Sequence, residues 1–132
     1  MPVISRLAAR VNVPISIDTM KASVAKEAIS HGAEIINDVS ALRFDRQMSE
    51  VAAETGAGLI LMHMRGMPKD MQTGSLYYQS LIEDISDFLR ERLQSAVDCC
   101  VERDRTILDP GIGFGKTAED NMRLLKHLDR FQ

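Results

Sequence analysis

Four short apolar segments, each ending on a polar residue and each separated from the next by a helix-like stretch, constrain this chain more than anything else in it. Ile15–Asp18, Glu34–Val39, Gly58–His63 and Thr106–Asp109 read as strands. Between them the apolar residues recur at helical spacing. Residues 3–10 form an opening helix through Ile4, Leu7, Ala8 and Val11. Met20 to His31 turns Val24, Ala25, Ala28 and Ile29 inward and stops before Gly32. Asp45 is placed to cap a helix with Met48, Val51 and Ala52, which Gly56 ends. The longest helix spans roughly 79–103, with a stripe from Leu81 through Ile85, Leu89, Leu93 and Val97 to Cys100. Thr117-Ala-Glu-Asp120 is a capping box that opens a last helix with Met122, Leu124, Leu125 and Leu128.

Strands that alternate with helices lie parallel and are covered by those helices. An open dinucleotide-binding sheet and a (β/α) barrel both satisfy this. The first needs Gly-x-Gly-x-x-Gly after its first strand, but here that strand runs into Asp18-Thr19. Polar residues at every strand end (Asp18, Asn37-Asp38, His63 and Asp109) suit a barrel, which builds its site at that face. The barrel is therefore favoured. A whole barrel needs eight strands and about 250 residues, and this chain has 132. The expected fold class is α/β, a partial (β/α)8 TIM barrel of about four parallel strands, with residues 1–132 as one partial domain taken from the barrel's middle.

The net charge of −3 and pI near 5.6 give no basic footprint for nucleic acid. No apolar run reaches a membrane span, and no signal peptide opens the chain. Adjacent Cys99 and Cys100 cannot staple distant segments, so they read as reduced thiols of a cytoplasmic protein. No Cys/His spacing suggests zinc. Eight methionines read as core packing. A loop of about fifteen residues, Met64 to Tyr78, is of the length usually tied to function or mobility.

The densest chemistry lies at Ile107–Thr117, where a strand ends in a carboxylate and turns through Gly111, Gly113 and Gly115. It is not a phosphate-binding P-loop, because Pro110 occupies the position of that motif's first glycine. Strand residues alternate in direction. One face therefore groups Ser16 with Asp18; Ile35 with Asn37 and Val39; Ile60 with Met62; and Ile107 with Asp109. Carboxylates, an amide and apolar walls suit a flat heteroaromatic ligand with a guanidine-like edge. Plainer roles stay open for each residue. Asp18 with Thr19 can cap a helix, Asn37-Asp38 can shape a turn, and His63 can be structural. Asp109 can start a turn, Phe114 can be core, and Lys116 can be a solvated surface charge.

Ile15-Ser-Ile-Asp-Thr19, Ile35-Ile-Asn-Asp-Val39, Leu61-Met-His-Met64 and Leu108-Asp-Pro-Gly-Ile-Gly-Phe-Gly-Lys116, in this order and spacing, resemble the dihydropteroate synthase family. The resemblance implies a transferase of folate biosynthesis. It condenses a dihydropterin methyl diphosphate with p-aminobenzoate and uses Mg2+. It also implies roles for residues. Asp109 and Asn37 would bind the pterin edge, and Val39 and Met62 would wall its pocket. Asp18 would contact the pterin and favour its cation, as the catalytic carboxylate. Gly113 and Phe114 would lie on the p-aminobenzoate side. The family's first-strand Asn that ligates Mg2+, its second-strand Arg, its seventh-strand Lys and its eighth-strand Arg and His have no counterpart here, so the metal's ligand segment is absent. The isolated chain is therefore expected to be a weak catalyst or none. Two alternatives remain: the pterin-binding domain of a methyltetrahydrofolate–corrinoid methyltransferase, and a non-catalytic pterin-binding or assembly module. Open sheet edges lead to the expectation of a homo-oligomer.

Overall fold

The computed structural model describes residues 2–66 and 78–131. In chain order the elements are α1 (Pro2–Ala8), β1 (Ser16–Asp18), α2 (Ala22–Ser30), β2 (Ile35–Asp38), α3 (Gln47–Thr55), β3 (Gly58–Met62), α4 (Leu81–Asp98), β4 (Thr106–Asp109) and α5 (Ala118–Lys126). Short 3-10 turns, Arg103–Arg105 and Leu128–Phe131, flank β4 and follow α5.

The strands form one parallel sheet in the order β1-β2-β3-β4. A doubly wound sheet reverses its order at a switch point and carries helices on both faces. Here the order follows the sequence, and the helices lie on one face. Ile36, Leu59 and Leu61 are wholly buried in the core with Ala22 and Ala25 of α2, Met48, Val51 and Ala52 of α3, and Ala96 of α4. A second cluster, Leu81, Ile85, Leu89 and Leu124, joins α4 to α5. Leu108 and Phe88 pack against both clusters. On the other face Ser16, Asp18 and Ile107 are exposed. This is a partial (β/α)8 barrel, with the face that would line the barrel left open.

Several boundaries differ from the sequence reading. The expected helix over 79–103 ends at Asp98, because Cys100 adopts a left-handed φ of 67° that no helix continues. Cys100 was expected on the buried stripe, yet it is exposed, and Val101 enters the core instead. The opening helix buries none of its residues. In α5 only Leu124 is buried; Met122 and Leu125 are exposed, as is Leu128 just beyond it. Asp45 does cap α3, with Oδ1 accepting from the Gln47 N–H at 3.1 Å. Its Oδ2 accepts from the Ala22 N–H at 2.8 Å, so one carboxylate serves the starts of α2 and α3 together. The capping box of Thr117 and Asp120 forms as expected.

Candidate functional site

Strand register places the polar ends. Asp18 pairs with Asn37, Asn37 with Ile60, and Ile60 with Ile107. Met62 pairs with Asp109, one step nearer the strand ends on the same face. Asp18, Asn37, Met62 and Asp109 therefore share one face, as the alternation requires; Met62 is buried there, only 3% exposed and covered by the turn at Gly111. With strands ~4.8 Å apart and a rise of ~3.3 Å per residue, Asn37 lies about 5 Å from Asp18 and about 12 Å from Asp109 between Cα atoms. Val39 follows the end of β2 and is half-buried.

The plainer roles divide among these residues. Among the described residues Asp18 caps no helix: Thr19 Oγ1 accepts from the Lys21 N–H and Asp45 takes that of Ala22. Asp38 takes the turn chemistry that Asn37 was offered. It is buried and points toward the helices, where Oδ1 accepts from the N–H and hydroxyl of Ser40 and Oδ2 accepts from the Leu42 N–H. That carboxylate holds Ala41 and Leu42 at φ of 51° and 65°, values that L residues seldom adopt. The Asn37 side chain makes no hydrogen bond among the described residues.

Asp109 divides its two oxygens. Oδ1 accepts from the Gly111 N–H at 2.7 Å, the turn-starting role; Oδ2 has no hydrogen-bond partner among the described residues. The turn that follows presses against the end of β3. Gly111 sits at φ of 70°, and a Cβ there would lie 2.0 Å from the His63 carbonyl oxygen, so only glycine fits. The His63 N–H donates in turn to the Asp109 carbonyl at 2.8 Å. Gly113 faces open space and donates its N–H to Asn121 Oδ1 at 2.8 Å, while Phe114 is half-buried. The Tyr78 hydroxyl donates to the Gly115 carbonyl.

Lys116 is not a solvated surface charge. It is 4% exposed, and its Nζ donates to the carbonyls of Gly111, Phe114 and His63 at 2.8, 2.9 and 3.2 Å. A glycine-rich turn leaves carbonyls without strand or helix partners, and an ammonium with three donors can gather them. Burial lowers its pKa to about 8, against the opposing pull of Asp109 and then Asp120. The sequence signal was the lysine directly after that turn, but its third partner lies 53 residues away.

His63 is buried one residue past Met62, so its ring faces the helices, edge-on to Phe88 at 4.9 Å. Burial, with the charges of Lys116, Arg43 and Arg65, lowers its pKa to about 3, and its Nδ1 has no hydrogen-bond partner among the described residues. This is a neutral structural histidine. Arg43 was missed by the sequence reading. It donates to the Ser40 and Met64 carbonyls and lies 5.0 Å over Phe88, joining the loops after β2 and β3. Among the described residues no group of three His, Cys, Asp or Glu side chains converges to hold a metal ion. No helix of the described structure is long and apolar enough to cross a membrane. The expected Met64–Tyr78 loop falls mostly on residues 67–77, outside the described residues.

Sequential parallel strands, helices on one face and polar strand ends on the other define part of an α/β barrel with its site at the C-terminal rim. The chain belongs to the pterin binding enzyme family, which matches residues 1–132. It is 42% identical to dihydropteroate synthase of Bacillus subtilis over 131 residues, 99% of this chain and 43% of that protein. Its fold superposes on dihydropteroate synthase of Stenotrophomonas maltophilia with active site-bound imidazole at a TM-score of 0.92 and 42% identity, covering 98% of this chain and 48% of that one. On the Xanthomonas albilineans enzyme in complex with 7,8-dihydropteroate the TM-score is 0.87 with 38% identity, covering 98% and 46%. The chain spans about half the length of the curated relatives it matches.

Proposed function

We propose that residues 1–132 form one partial barrel domain that supplies the pterin-binding side of a dihydropteroate synthase active site. The observation that carries this is the shared open face. It bears the Asp18 carboxylate, the Asn37 amide and one Asp109 oxygen that has no hydrogen-bond partner among the described residues, beside Ile35, Ile60 and Met62. A carboxylate accepts paired N–H donors from the guanidine-like edge of a pterin. The Asn37 amide offers a donor and an acceptor to neighbouring ring atoms. Val39 and Met62 wall the ring, and Phe114 with the Gly113 backbone faces the p-aminobenzoate side. The complex of the Xanthomonas relative with 7,8-dihydropteroate supports this reading over a corrinoid methyltransferase.

The reaction breaks the bond between the pterin methylene carbon and the diphosphate oxygen. Diphosphate leaves with the electron pair. The aniline nitrogen of p-aminobenzoate then attacks the methylene cation and loses a proton. Asp18 stabilises charge that develops only in the transition state. Mg2+ is implied by the resemblance and would neutralise the departing diphosphate. The described residues do not fit it, since no group of three His, Cys, Asp or Glu side chains converges among them.

We place the protein in the cytoplasm, which the free, exposed thiols of Cys99 and Cys100 support. Its small-molecule partners are the pterin diphosphate and p-aminobenzoate. It partners neither nucleic acid nor membrane, and it associates with itself through the edges β1 and β4. The test is equilibrium binding of 6-hydroxymethylpterin to the 132-residue protein, with turnover measured in parallel. Saturable binding with weak or no turnover is expected. Asp109→Asn should weaken binding by about 1.5–3 kcal/mol, the usual loss for a hydrogen bond to a charged group. Wild-type affinity in that variant, or no binding by the wild type, contradicts the proposal.

A further inference from the structure

We infer that Lys116 is a positioning residue for the pterin site: its ammonium draws the glycine turn onto the end of β3 and so aims the Asp109 carboxylate at the ligand. The inference rests on the pterin reading above and deepens it. The three carbonyls that Lys116 binds come from both sides of the joint. His63 directly follows β3, and Gly111 and Phe114 belong to the turn after β4. Gly111 is also the residue whose N–H fixes Asp109 Oδ1. Its lack of a side chain is what lets the turn approach the His63 carbonyl at all. Asp109 is thus tied through Gly111 to Lys116, and its second oxygen is left for a ligand. Phe114 is held from the same ammonium through its own carbonyl. A lysine inside the fold has no other reason to remain charged: its positive charge answers three partial charges and stands near Asp109 and Asp120.

The charged and titratable groups around Lys116 are Asp109 of β4, Asp120 of α5, neutral His63 just past β3, and Tyr78, whose hydroxyl donates to the Gly115 carbonyl and whose pKa burial raises. Burial brings the Lys116 pKa to about 8, so the ammonium loses its charge in mildly alkaline solution. Loss of the proton removes one of the three donors and the charge that holds the other two contacts. The turn should then loosen, and pterin affinity should fall.

The experiment measures binding of 6-hydroxymethylpterin to wild type, Lys116→Met and Lys116→Arg at about pH 7 and about pH 9.5, on either side of that titration. Ionisation of the pterin itself is common to all three proteins and cancels in their ratios. At the lower pH, Lys116→Met should bind at least about tenfold more weakly, a loss of ~1.4 kcal/mol. Its ratio to wild type should approach one at the higher pH, where wild type has lost the same charge. Lys116→Arg keeps its charge, so its affinity relative to wild type should rise with pH. A lysine that merely stabilised the fold would leave both ratios independent of pH. Ratios that do not move, or equal binding by wild type and Lys116→Met at the lower pH, overturn the inference. If Lys116→Met does not fold, the ratio of Lys116→Arg to wild type decides alone. If the wild type binds no pterin at either pH, the pterin reading itself has failed, and this inference falls with it.

Discussion

At the scale of single residues, the site depends on groups that are arranged before any ligand arrives. Asp109 has one oxygen committed to the Gly111 N–H and one in reserve. Gly111 lets the turn approach β3 closely enough for Lys116 to reach across. Replacing it should be costly for two separate reasons. Its φ of 70° disfavours any L side chain, and an added Cβ would lie 2.0 Å from the His63 oxygen. Gly111→Ala should therefore lower the unfolding free energy by at least about 3 kcal/mol in urea denaturation. Gly113→Ala, where a Cβ meets nothing within 4 Å, should cost less despite its φ of 85°. Equal costs at the two positions would count against the close packing assigned to Gly111. The face shared by Asp18, Asn37 and Asp109 was legible in the sequence because strand alternation is strict. The burial of Lys116 was not, because a lysine's surroundings depend on carbonyls that only the fold brings near.

At the scale of elements, periodicity located every strand and α-helix among the described residues but neither 3-10 turn, and the errors fell where the chain stops being periodic. The end of α4 was missed because nothing in the stripe up to Cys100 announces a left-handed residue there. Asp45 was read as the cap of one helix. Its second helix is 23 residues away, at Ala22, a pairing that local sequence does not encode. The end of β3 is packed around a neutral ring, and this makes stability depend on pH. The pKa of His63 falls from 6.5 to about 3 on folding. As pH drops, the unfolded chain takes up its proton first. The stabilising effect is thus fully present above pH 6.5 and is lost as pH falls toward 3. Urea denaturation should report a decline on the order of 4 kcal/mol from this group across that window. His63→Phe keeps an aromatic ring against Phe88 and removes the titration, so its decline should be shallower by the same amount. An identical decline in both proteins would assign the acid sensitivity elsewhere.

At the scale of the molecule, four strands make an open arc whose inner face and two edges, β1 and β4, carry exposed side chains. Exposed Ile107, Ile112, Met122, Leu125 and Leu128 lie on β4 and after it. Unpaired strand edges and apolar surface of this kind recruit partners. Light scattering should accordingly find the 132-residue protein as a homo-oligomer, with mass falling toward the monomer on dilution. A monomer at every concentration would contradict self-association through the edges. Under the proposed function, the C-terminal ends of the strands, on the open face, grip one planar pterin. Amide chemical-shift mapping with 6-hydroxymethylpterin reads that contact residue by residue. The largest shifts should fall at Asp18, Asn37, Met62 and the turn from Asp109 to Phe114, with little change on the outer surfaces of α2 and α3. Shifts concentrated on those helices, or none at saturating ligand, would contradict it.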